Sequence, residues 1–277
     1  MSTTSVQAQI ASERMIFRQT HTRIGRHIAV TPGNSAMQHL AYGRIILNSG
    51  QPSVTFSNGD RETVLICLKG DARVQADGSE TGLRQYDALY IPRDSAVEVA
   101  SDSSVDLAEF SAEVSKQYPL KLVRSAEITP ESGLKFGTGS AGCKRTVSMT
   151  VTKNVQAGRL LVGITASEPG QWTSWPPHEH ARMLEEMYVY FDMPAPAYGI
   201  QLVYNNTEYP ELVTVVREGD AVLMPNGYHP NVSVPGHHIS FLWAMAAHRE
   251  VEDRQYGVVN VQPDFANVGL NLSAGGR

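Results

Sequence analysis

The sequence predicts an all-β chain of sandwich or barrel type, duplicated into two halves, and three observations carry that prediction. Long helical periodicity is almost absent, short apolar or alternating runs recur between Gly, Pro, Asn and Asp turn signals, and the halves share one segment plan. In the first half the runs are ETVLICL (62–68), DARVQA (71–76), DALYIP (87–92) and AVEVAS (96–101). In the second they are RLLVGITA (159–166), EMYVYF (186–191), YGIQLVY (198–204), ELVTVV (211–216), DAVLMP (220–225) and HISFLWAM (238–245). The shared plan is acidic–strand–Pro–turn–strand, in QYDALYIPRDSAVEV (85–99) and again in EGDAVLMPNGYHPNV (218–232). The turn-rich stretch ITPESGLKFGTGSAG separates the two, which predicts one domain over residues 1–130 and another over 131–277.

A chain of 277 residues is long enough for two such barrels. Its 42% hydrophobic and 18% charged residues match a packed globular core. A net charge of −5 argues against nucleic acid or an anionic membrane as partner. Cys67 and Cys143 lie in different halves without CxxC or metal-like spacing, so they are expected to be inert thiols in a reducing compartment. The opening MSTTSVQAQIASERMIF has no basic region leading into an apolar one, and no apolar stretch approaches the roughly 20 residues a membrane span needs. A cytoplasmic protein is expected.

Chemistry concentrates in the second half. None of the nine histidines falls between His39 and His178, and the first copy of the shared plan has Ala96 where the second has His229. The first half therefore reads as a scaffold without a metal site. His178 and His180 sit at i and i+2, which on an extended strand puts both imidazoles on one face. Glu185 and Glu186 open the next strand, and a turn at Pro225-Asn226-Gly227 precedes His229. Three neutral imidazoles and a carboxylate suit a divalent first-row metal and can leave coordination positions open. The competing reading is an exposed HEH loop with an unrelated surface histidine. Alternation along EMYVYF puts Glu186, Tyr188 and Tyr190 on one face and Glu185, Met187, Val189 and Phe191 on the other. The polar-tipped face suits a site, so Glu186 is the expected ligand and Glu185 its neighbour.

Gly170, His178, His180 and Glu186, followed by Gly219, Pro225, Gly227 and His229, resemble the two paired motifs of the cupin superfamily. The resemblance implies a bicupin, two jelly-roll barrels in one chain. GQWTSWPPHEH, EEMYVYF, YGIQLVY, VLMPNGYHP and LWAM look like the 5-deoxy-glucuronate isomerases of myo-inositol catabolism. HARMLEEMYVYF and FLWAM are also similar to the 5-keto-4-deoxyuronate isomerases of pectin breakdown. Both imply aldose–ketose isomerisation of a deoxy uronic acid by a homo-oligomer holding zinc, with manganese or iron as alternatives. The first family implies conversion of 5-deoxy-glucuronate to 5-dehydro-2-deoxy-gluconate. A Lewis-acidic metal suits that chemistry, because it stabilises an enediolate by several kcal/mol. Candidate bases are a metal-bound hydroxide, Glu185 if it faces inward, Tyr188 and Tyr190. The substrate carboxylate needs a cation. Arg145 in CKRTV resembles an arginine of these families, and Arg182 is the second candidate, with a surface salt bridge as the alternative role of each. His237, His238 and His248 read as structural or exposed. A cupin dioxygenase and a non-catalytic sugar-binding or storage cupin are the competing functions.

Overall fold

The computed structural model describes residues 14–266. The N-terminal stretch in which no secretory signal is expected lies, up to residue 13, outside the described residues. The all-β expectation holds: the regular elements are antiparallel strands and two short 3-10 turns. Among the described residues no helix is long and apolar enough to cross a membrane.

Among the described residues five sheets account for the strands, and none of them closes on itself. The expected barrels are thus built as facing sheets whose strand order stays open. In the first half a six-stranded sheet, including Ala41–Leu47, Arg61–Lys69, Ala88–Ile91 and Val105–Glu113, packs on the four strands from Ser53–Ser57 to Ala96–Ala100. Ile45, Leu65, Cys67, Leu89 and Leu107 meet Val74, Leu83, Val97 and Val99 in the core between them. In the second half a seven-stranded sheet, centred on Leu184–Phe191, Ser240–Ala247 and Leu160–Ser167, faces a smaller one containing Gly199–Val203 and Asn231–Ser233.

The central strands read as near-continuous apolar runs because both their faces are buried. In Arg61–Lys69, Leu65 and Cys67 point into their own half, while Val64, Ile66 and Leu68 join a second core. That second core also takes Met187 and Val189, Leu242 and Ala244, so it joins the two large sheets. Burial pushes the Cys67 thiol up to about 12, in keeping with an inert cysteine.

The two halves exchange their lead-in segments. Ile16–Phe17, which precedes the first half, pairs with Ala221–Met224 of the second. Lys121–Val123, which precedes the second half, pairs with Ala88–Ile91 of the first. The shared sequence plan explains the symmetry. Asp220 accepts from Arg18 at 2.7 Å and from the Gln19 and Arg217 amides at 3.1 Å. Asp87, its counterpart, accepts from Arg124 and the Ser125 amide at 2.8 Å and from the Arg84 amide at 3.1 Å.

Candidate metal centre

Three loops and one strand converge inside the second half. All eight residues of Leu184–Phe191 are buried, and alternation sends Glu186, Tyr188 and Tyr190 toward the smaller sheet. His178 lies on the short strand His178–Glu179, and His180 follows it. His229 follows the turn at Gly227, whose φ of +91° is left-handed and where a Cβ would come within 3.0 Å of the Tyr204 carbonyl oxygen. Two backbone hydrogen bonds between Tyr204 and Tyr228, at 2.8 and 2.9 Å, lock that turn.

The histidines offer ring nitrogens that all lie within 4.8 Å of one another. A carboxylate oxygen of Glu186 sits 2.9 Å from His180 Nε2 and 3.0 Å from His229 Nε2. Backbone carbonyls set the tautomers of the other two rings. His178 Nδ1 is 2.9 Å from the Pro176 carbonyl, and His229 Nδ1 is 2.9 Å from that of Gly227. With each Nδ1–H donated there, each Nε2 is left as a lone pair.

Electrostatics agree with a cation-binding pocket. Burial, then the neighbouring His229 and His180, drive the His178 imidazole down to about 3. Burial opposes ionisation of Glu186, but His180 and His229 outweigh it and hold the carboxyl down at about 2. His229 is lowered by burial and raised more by Glu186. Glu186 therefore demands positive charge beside it, while the carbonyl-bound tautomer of His229 turns a lone pair toward that same carboxylate. A divalent ion satisfies all of these groups together, so the donor set fits one.

His178, His180 and Glu186 open into a cavity of about 300 Å³, also lined by Arg145, Ser174, Tyr188, Phe241, Trp243 and Tyr256. That volume is within the range of small-molecule sites. Arg145 is 9% exposed, and its guanidinium donates to the carbonyls of Cys143 and Trp175, each at 2.9 Å. No carboxylate lies within ion-pair distance of it among the described residues, and burial lowers its pKa.

Three expected participants lie elsewhere. Glu185 points away from the cavity, accepting from the backbone N–H groups of Gln38, His39 and Leu40 at 2.6, 2.8 and 2.6 Å. With its oxygens taken up across the interface between halves, it is not a base here. Tyr190 shares the face of Glu186 but lies deeper, donating to Gln201 at 2.5 Å and accepting from Asn231 at 2.7 Å. Arg182 is exposed and outside the cavity. Tyr188 does line the cavity, 2.7 Å from the Ser174 hydroxyl. Burial, then the Glu186 charge, raise its phenol well above the ordinary value. Of the other histidines, His238 is half-buried near Asp192, while His248 bonds the Ala181 carbonyl at 3.1 Å. Sequence reading missed Trp243 and Tyr256 as cavity walls. Trp243 sat within a quoted strand whose alternation could have found it.

The model of the KduI/IolB family matches residues 15–266. The chain is 28% identical over 240 residues to the 5-deoxy-glucuronate isomerase of Geobacillus kaustophilus (strain HTA426), covering 80% of this chain and 84% of that protein. It is 28% identical over 251 residues to the 4-deoxy-L-threo-5-hexosulose-uronate ketol-isomerase of Caldicellulosiruptor bescii, covering 83% of this chain and 87% of that protein. The fold is similar to that of a crystallised IolB-like protein from Salmonella typhimurium LT2, with a TM-score of 0.80 at 23% identity over 91% of this chain and 98% of that one. With its family model matched from residue 15 to residue 266, the chain belongs to the KduI/IolB family.

Proposed function

We propose that this chain is a metal-dependent isomerase interconverting the aldehyde and neighbouring ketone of a deoxy uronic acid. Its preferred substrate is 5-deoxy-glucuronate, with the 4-deoxy-5-hexosulose uronate second, in keeping with the relatives of both names. Residues 131–277 form the half that holds the metal, and residues 1–130 form its scaffold. The observation that carries the reading is Arg145, a buried guanidinium without a carboxylate partner among the described residues, in the same cavity as His178 and His180.

His178, His180, Glu186 and His229 hold the ion, zinc first, with manganese or iron as alternatives. A divalent ion held there supplies Lewis acidity for the negative charge that develops when a proton leaves the carbon beside a carbonyl. Arg145 pairs with the substrate carboxylate, which fixes the sugar chain relative to the histidines. Phe241 and Trp243 give the apolar wall that keeps bulk water from the reacting carbons. Glu186 and the backbone carbonyls of Pro176 and Gly227 keep the imidazoles oriented while the substrate enters and leaves.

The test is an NMR assay of both uronates, run without oxygen. Arg145→Ala is expected to lose about 10- to 150-fold in kcat/KM, the worth of one charged hydrogen-bonded contact of about 1.5–3 kcal/mol. Metal content should not change. Equal losses on a substrate analogue with a neutral group in place of the carboxylate would assign Arg145 to the fold, and a strict oxygen requirement would replace the isomerase with an oxygenase.

A further inference from the structure

One wall of the cavity belongs to neither sheet facing it. After Ser240–Ala247 the chain crosses the mouth as residues 253–262, held at both ends. Upstream, Arg254 donates to the Leu160 and Thr152 carbonyls at 2.8 and 2.9 Å. Downstream, Asn260–Val261 pairs with His178–Glu179, the strand that carries a histidine of the cluster. Asn260 also donates to Glu179 at 2.6 Å, and the Gln262 amide to the Pro177 carbonyl at 2.9 Å.

Between the anchors, Tyr256, Gly257, Val258 and Val259 face the cavity. The Tyr256 ring stacks on Trp243 with centroids 5.2 Å apart and planes 29° apart, so its position is fixed. No hydrogen bond engages its hydroxyl among the described residues, whereas the other cavity phenol, Tyr188, is paired with Ser174. Burial, then Glu186, raise the Tyr256 phenol to about 12 against the opposing influence of Arg145, so it keeps its proton. A fixed, protonated and uncommitted donor in the cavity has a ligand oxygen as its natural partner.

We propose that Tyr256 is a catalytic residue, donating a hydrogen bond to the substrate oxygen that gains negative charge as the proton leaves carbon. The phenol transfers no proton. It stabilises charge from the strap side, while Arg145 holds the carboxylate. This inference rests on the deoxyuronate-isomerase reading and adds to it a residue outside both cupin motifs.

Tyr256→Phe removes the hydroxyl and keeps the ring on Trp243. Measured on 5-deoxy-glucuronate and the 5-hexosulose uronate, kcat should fall about 100-fold, with KM, metal content and Tm nearly unchanged. A kcat within about threefold of wild type overturns the proposal. So does a loss of activity that tracks lower metal content or a lower Tm, because that pattern marks a structural phenol. If the wild-type protein turns over neither uronate, the isomerase reading fails and takes this role with it. Wild-type activity with an equally active variant removes Tyr256 alone.

Discussion

Alanine at His229 is expected to remove most of the bound metal and about a thousandfold or more of the isomerase activity while leaving the chain folded. The imidazole supplies one of three ring nitrogens clustered within 4.8 Å, and its Nε2 is one of two that face Glu186. Two histidines and a carboxylate remain, so the site loses one of its four protein ligands and holds a divalent ion more weakly. The rate loss follows from losing Lewis acidity worth several kcal/mol, at 1.36 kcal/mol per tenfold. Folding should survive because the substitution removes a polar side chain at the cluster and leaves the apolar side chains of both cores in place. Elemental analysis of the purified variant, with circular dichroism as a fold control, checks the prediction. Full metal occupancy in His229→Ala would remove His229 from the ligand set, and similar results are expected for His178→Ala and His180→Ala.

The metal cluster was legible in the sequence because its geometry is local. An i, i+2 histidine pair, a two-residue alternation and a Pro-x-Gly-x-His turn each fix a side chain's direction within a few residues. The alternation in EMYVYF correctly separated Glu186 from Glu185 by face. It could not show what Glu185 meets, since its partners lie some 145 to 147 positions away in the other half. The matched segments around Asp87 and Asp220 announced a repeat, yet nothing local revealed that each half's lead-in strand crosses to the other sheet. The strap was hidden for a similar reason. QYGVVNVQPDF has little regular structure of its own, and its position comes from the Arg254 anchor and a two-residue ladder with His178–Glu179. Tyr256 thus reaches the cavity through tertiary contacts that leave no periodic trace. Strand spacing left sandwich and barrel open, because spacing cannot distinguish a closed sheet from two facing ones.

The clearest separation of fold from chemistry is expected from neighbouring carboxylates. Glu185→Ala should lose about 3–5 kcal/mol of stability, because it removes a buried carboxylate and leaves the backbone N–H groups of residues 38–40 without their acceptor. For a chain of this size that lowers Tm by about 6–20 °C. Metal content measured well below the new Tm should stay at the wild-type level, since Glu185 faces away from the histidines. Glu186→Gln should do the reverse, releasing metal with a much smaller effect on Tm, because an amide oxygen is a poorer donor than a carboxylate. A third variant tests the symmetry. Glu62, on the equivalent central strand of the first half, accepts from the N–H groups of Gly158, Arg159 and Leu160, each at 2.7 Å, and from Tyr90 at 2.7 Å. Each half therefore presents a buried glutamate to the segment that starts a central strand of the other. Glu62→Ala should destabilise at least as much as Glu185→Ala, again with metal retained at low temperature. Thermal melts paired with metal analysis of the three variants decide the matter: metal loss in Glu185→Ala at unchanged Tm would place the ligand one residue earlier and reverse the faces of the whole strand.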